Sequence, residues 1–147
     1  MKSVFALILF LVAGETALHA QSEYLKWKPL VINQTQRIWY DASSIDTVDG
    51  DKFKVWILQM YQPPLSFDSI ADKVYRSRTQ YGIDLNTEKY GILKVIYYGV
   101  TNNVLYNFDY HIDNYPDNLK YTYPLMENSY MKILIQKLGR IQDKGIN

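Results

Sequence analysis

Cysteine is absent from all 147 residues. That excludes a disulfide framework and any thiolate metal site, so stability has to come from packing alone. Histidine is almost absent as well, with His19 and His111 the only two. His19 falls in a segment expected to be removed, so any Ser-His-Asp set would need His111, and a Cys-His pair cannot be built. Neither charge is in excess, with 16 basic and 15 acidic residues for a net of +1. Such a balance carries no footprint for nucleic acid or for an anionic membrane, which call for clustered positive charge. Glycine-rich phosphate loops and His-Glu-x-x-His are missing too, and Asp109, Asp113 and Asp117 do not follow calcium-loop spacing. No cofactor and no metal is expected.

His111 is then the one candidate general base, with Asp109 or Asp113 on its own face if the segment is a strand. The plainer reading is a solvated or structural His-Asp neighbourhood. Two carboxylates could make a hydrolytic pair, but nothing in the order of residues nominates one. The expectation is therefore a protein that is not an enzyme.

The first twenty residues form a separate problem. Lys2 gives a basic start, Val4 to Val12 an apolar run, and Ala17-Leu18-His19-Ala20 a small-residue end. That order is a secretory signal peptide, 1–20, and the apolar run of about ten residues is short of the roughly 20 that span a bilayer. Cleavage is expected after Ala20, a site nearer Gly14 is the alternative, and an uncleaved anchor is the blander reading. Gln21 to Asn147 is then one domain, exported to the periplasm or outer surface or secreted, with no transmembrane segment once the signal is cut.

All 14 tyrosines and all three tryptophans lie beyond residue 20, and aromatic and β-branched residues favour pleated surfaces. Tyr24 to Val31 reads as a strand held to an edge by Pro29. Arg37 to Asp41 is a second strand. Asp49-Gly50 turns the chain into Phe53 to Tyr61, apolar on both faces and expected to end at Pro63-Pro64. Tyr75 to Leu85 alternates, with Tyr75, Ser77, Thr79, Tyr81, Ile83 and Leu85 on one side and Arg76, Arg78, Gln80 and Asp84 on a wet side. Turns at Asn86-Thr87-Glu88 and Thr101-Asn102-Asn103 separate Lys89 to Tyr98 from Val104 to His111. Residues 113–123 read as a polar, aromatic loop.

After Pro124 the period changes. Asn128 or Ser129 is placed to cap a helix whose Tyr130, Met131, Leu134, Ile135 and Leu138 recur at helical spacing. Lys132, Gln136 and Lys137 point away, and Gly139 is placed to stop it. The fold class is α+β: about six antiparallel strands in a meander, with one amphipathic C-terminal helix.

Tyrosine offers contact area with a polar tip, so crowded tyrosines are candidate recognition surface. Tyr97-Tyr98, Tyr106, Tyr110, Tyr115, Tyr121 and Tyr123 crowd the second half, and Tyr106, Tyr110, Tyr115, Tyr121 and Tyr123 are the candidate set, against the alternative that they pack in the sheet. Arg76 and Arg78 are candidate anchors for an acidic partner, against the alternative of a solvated face. The expected function is a non-enzymatic binding protein with a protein partner, or else a periplasmic accessory or inhibitor acting on another bacterial protein.

Trp39-Tyr40-Asp41-Ala42-Ser43-Ser44-Ile45, Val55-Trp56-Ile57, Ser77 to Asp84, Tyr90-Gly91-Ile92-Leu93 and Tyr97-Tyr98, in that order, resemble the surface-adhesin protein E family of bacterial exported proteins. Pro124 followed by Ser129 to Leu138 matches the way those proteins tend to end. The resemblance covers about Trp27 to Leu138. It implies a helix packed on the concave side of the sheet and an adhesin-like, outer-membrane or cell-surface protein that binds host extracellular matrix and can form a homodimer. The family often ties helix to sheet by a disulfide. Here Leu85 takes one cysteine position and the other falls near Leu138 or Gly139, so an apolar contact is expected instead. A bridge closing some 50 residues is worth about 4 kcal/mol and a buried leucine about 1.5–3 kcal/mol, so the helix is expected to be looser. Trp39, Tyr40, Asp41, Ser44 and Trp56 read as fold determinants: Asp41 and Ser44 bonding nearby amides at a corner, Trp39 entering the core.

Overall fold

The computed structural model describes residues 26–142. The signal segment 1–20 and the expected strand start at Tyr24 lie outside the described residues.

Eight strands form one antiparallel sheet. They are β1 (Trp27–Ile32), β2 (Arg37–Asp41), β3 (Asp46–Asp49), β4 (Lys52–Phe67), β5 (Ile70–Asp84), β6 (Lys89–Tyr98), β7 (Val104–Asp109) and β8 (Tyr123–Pro124). The order is β1-β2-β4-β5-β6-β7, with β3 on β4 and β8 on β6. The two short strands add no lanes. β2 pairs with β4 at Ile57 to Met60 and β3 with β4 at Lys52 to Lys54, so β2 and β3 run end to end. β7 and β8 share β6 in the same way. Six lanes therefore lie side by side, with β1 and β7 at the two edges.

Turn chemistry sets these boundaries. Gly50 takes φ of +50° between β3 and β4, a conformation open to a residue without Cβ. Asp84 is buried rather than wet, because its Oδ1 accepts from the Asn86 and Thr87 amides and closes the β5–β6 hairpin. Between β2 and β3, Asp41 Oδ1 accepts from the Ser43 amide at 3.0 Å and the Ser43 hydroxyl at 2.6 Å. The Ser44 hydroxyl donates to Asp41 O and accepts from the Trp56 amide. Trp56 lies where β2 has ended and β3 has not begun, so Ser44 supplies the partner its N–H would otherwise lack.

Pro63-Pro64 does not end β4. The register slips between Met60 and Leu65, leaving Tyr61 to Pro64 opposite Tyr75 alone. Two residues without an N–H sit in that bulge, where no ladder bond is asked of them, and pairing resumes to Phe67.

Helix α2 (Tyr130–Gln142) lies on one face of the sheet, beyond a short α1 (Asp117–Lys120). Ser129 is the cap, its hydroxyl accepting from the Lys132 amide. The core joins Met131 and Leu134 to Ile38, Tyr40, Phe53, Val55, Ile57, Tyr81 and Ile83, with Leu85, Tyr130, Ile135 and Leu138 packed around it. Each large side chain so buried contributes about 1.5–3 kcal/mol.

Several expectations need correction. Tyr40 enters the core and Trp39 does not, because Tyr40 stands opposite Ile57 on the helix side. Gly139 does not stop the helix, which runs on to Gln142. Lys132 and Lys137 do not simply point away. Lys132 Nζ bridges Glu88 and Glu127, each at 3.2 Å, and Lys137 Nζ donates to Pro29 O, tethering the helix at two places. The second face of β4 is not covered by a layer of its own, since Trp56 and Leu58 are only half-buried and Met60 is exposed. Residues 113–123 are partly structured rather than a plain loop, holding α1 and the start of β8.

Candidate functional site

Successive side chains of a strand point to opposite faces, so Tyr106, Phe108 and Tyr110 rise together from the outermost lane. The Tyr106 and Phe108 rings stack with centroids 4.2 Å apart and planes within 24°. Phe108 and Tyr110 follow at 6.4 Å and 17°. Tyr97 stands opposite Tyr106 on β6 and meets Phe108 edge-on at 6.3 Å. Phe67, carried over by the β4–β5 hairpin, closes on Tyr97 at 5.3 Å. The stack is on the helix side of the sheet, while the core under α2 draws on β1, β2, β4 and β5. Tyr106 is 42% exposed, Tyr110 49% and Phe67 37%.

The Tyr97 hydroxyl is held above its ordinary pKa, first by burial and then by the neighbouring Tyr61 and Tyr110 hydroxyls. The surface therefore offers ring area with hydroxyl rims, and the stack itself holds no charged side chain. β7 pairs with β6 alone among the described residues, so its outer backbone edge is open.

The other candidates are placed elsewhere. Tyr123 stacks on Tyr90 at 5.4 Å, in a second group that reaches Tyr81 and Tyr130 beneath the helix. Tyr115 is 52% exposed, and no ring contact joins it to the stack among the described residues. Tyr121 is 4% exposed and lies on the opposite face of the sheet. A Cβ on Gly82 would come within 3.1 Å of its ring, and one on Gly91 would strike the Lys120 carbonyl. Gly82 and Gly91 are direct partners in β5 and β6. Together they make a saddle for the chain crossing from α1, pinned further by Lys52 Nζ to Asp117 Oδ2 at 2.7 Å. The Tyr-Gly-Ile triplet repeated at Tyr81 and Tyr90 is the signal that marks this saddle in the sequence.

Arg76 and Arg78 project from that same opposite face and are half-buried rather than solvated. His111 is highly exposed at the end of β7, its Nδ1 3.3 Å from Asp109 Oδ1. Asp109 is held below its ordinary pKa mainly by accepting the His111 amide, so the contact closes a turn. A shallow groove of about 350 Å³ near the β6–β7 turn, lined by Asp72, Lys73, Tyr75 and Val100 among others, holds no histidine. No group of three metal-ligating side chains occurs among the described residues, nor does a helix long and apolar enough to cross a membrane.

Phe67 and Phe108 were missed from sequence, and Tyr97 was legible only as one of the crowded tyrosines, not as part of the stack. The alternation Tyr106-x-Phe108-x-Tyr110 would have found Phe108, whereas Phe67 is reached only through the bulged hairpin. No family model matches this chain, and no curated protein or solved structure matches it.

Proposed function

We propose that this chain is a non-enzymatic, exported, adhesin-like binding protein that recognises a protein partner through the aromatic edge of β6 and β7. The observation that carries the reading is the Tyr106-Phe108-Tyr110 stack, exposed on a strand whose outer backbone is open. An extended partner segment laid along β7 gains main-chain hydrogen bonds, and its alternate side chains meet the rings. Tyrosine and phenylalanine supply that contact at low entropic cost. The resemblance to the surface-adhesin protein E family adds adhesion to host extracellular proteins, and the same open edge can take a second copy of the chain.

The test is capture of partners from host matrix extract and from cell envelope by the purified chain, beside a Tyr106→Ala/Tyr110→Ala variant. Capture from matrix by the native chain, lost in the variant, supports the reading. Capture from the envelope alone makes the protein a periplasmic accessory or inhibitor. Equal capture by native chain and variant removes the aromatic edge from the account. Sedimentation of the same material tests self-pairing, and a monomer at high concentration ends that part of the reading.

A further inference from the structure

The face opposite α2 has its own chemistry, visible once the strand register is followed across it. Arg37, Met60, Arg76 and Tyr98 stand in one row over β2, β4, β5 and β6. Trp39, Leu58, Arg78 and Ile96 form the next. Trp56, Gln80, Lys94 and Asp109 form the third. Three arginines from two separate strands therefore converge, although the chain as a whole is nearly neutral.

Arg78 is held between two tryptophans, its guanidinium carbon 5.3 Å from the Trp27 ring centre and 5.4 Å from that of Trp56. Arg76 lies 4.5 Å over Tyr98. Ring faces hold a planar cation in place and remove water from it, but they supply no hydrogen-bond acceptor. The Arg78 Nε is buried without a hydrogen bond, and Arg78 makes no ion pair among the described residues. The carboxylates nearest in the register are engaged elsewhere, Asp109 by Lys94 at 3.5 Å and Asp41 by Lys26 at 3.7 Å. A fixed, half-desolvated cation without a counter-ion is prepared for an anion from outside.

Geometry selects the kind of anion. Arg76 and Arg78 are two residues apart on one strand, hence about 7 Å, which is also the repeat of alternate side chains in any extended peptide. Met60, Leu58 and Trp39 lie beside them and offer apolar contact. We propose that this face binds an extended acidic protein segment, with carboxylates at alternate residues seated on Arg76 and Arg78 and apolar side chains over Leu58 and Met60. Arg37, exposed at the rim, guides the segment in. This site is on the opposite side of the sheet from the aromatic stack and stands whether or not that stack binds a partner.

The test titrates the purified chain with the capped peptide Glu-Leu-Glu-Leu-Glu and follows tryptophan fluorescence, which reports on Trp27 and Trp56 directly. Saturable change is expected, weakening about tenfold in Arg78→Gln and in Arg76→Gln, and failing to recover in Arg78→Lys, which keeps the charge but loses the fork. Arg37→Gln, at an exposed position, is expected to weaken binding and to lessen its salt dependence, which keeps the test open if a half-buried arginine proves necessary for folding. Tyr106→Ala is expected to bind the peptide as the native chain does. Unchanged fluorescence on adding peptide overturns the proposal. So does equal binding of Gln-Leu-Gln-Leu-Gln, or binding of a sulfated oligosaccharide with none of the peptide.

Discussion

The Tyr81 hydroxyl, on β5, lies 2.9 Å from the Tyr130 hydroxyl, on α2. It is a polar tie between sheet and helix. Tyr130→Phe removes this one hydrogen bond and keeps the ring. Tyr130→Phe is therefore expected to cost about 0.5–1.5 kcal/mol, the net worth of one hydrogen bond. A double-mutant cycle with Tyr81→Phe, read by urea unfolding, should return a coupling of that size. Simple additivity would mean that the tie does not contribute.

The same pair makes the fold sensitive to alkali. Burial is the first cause raising the phenol pKa of Tyr81, Tyr130 and Tyr61 above 10.0. Above that value an unfolded chain sheds these protons while the folded chain keeps them, so the unfolded state binds fewer. The stability is complete below pH 10.0 and declines as pH climbs past it. Urea midpoints should fall from about pH 10 upward, and less steeply in the Tyr81→Phe/Tyr130→Phe double variant. Phenolate absorbance showing every tyrosine titrating normally in folded protein would contradict this.

Strands bounded by clear turn chemistry were legible from sequence: β2 and β6 fall where Arg37 to Asp41 and Lys89 to Tyr98 place them. Alternation in Arg-Ile-Trp-Tyr-Asp cannot say which aromatic goes inward. That is decided by Ile57 across the ladder and by the Ser44 corner. Prolines read as stops, because sequence does not show that Tyr75 alone will oppose Tyr61 to Pro64. β3 and β8 are too short to carry a period. The arginine face was illegible for a related reason, since Arg37 joins Arg76 and Arg78 only through register. Tyr121 looked like surface because its glycine saddle is built from two other strands.

Leu85 tests how the helix is held without a bridge. It is partly buried against the cluster that includes Met131 and Leu134. Leu85→Asp sets a charge there and is expected to cost about 2 kcal/mol or more. Leu134→Ala, at a side chain with 0% exposure, is expected to cost about 2–5 kcal/mol. Hydrogen exchange gives the sharper readout, since helix amides should open in Leu85→Asp while those of β4 and β5 keep their protection. Equal protection throughout would show that Leu85 does not seat the helix.

Gly91 is the position where one methyl group should undo a whole segment. A Cβ there meets the Lys120 carbonyl, which is backbone and cannot swing aside as a side chain can. Gly91→Ala is expected to lift α1, expose Tyr121 and part Lys52 from Asp117, while the core under α2 remains. Asp117 reports the change. Its pKa is lowered chiefly by the hydrogen bond from Lys52, so its contribution to stability is present above the ordinary carboxylate value and is lost as pH falls through the lowered one. In Gly91→Ala the Asp117 carboxyl, followed by NMR, should titrate nearer its ordinary 3.8. Gly82→Ala meets the edge of the Tyr121 ring at 3.1 Å, which can shift a few tenths of an ångström, and Leu93 at an ordinary 3.5 Å, and should move it less. If both variants leave the Asp117 midpoint where it is, the glycine pair does not hold the segment down.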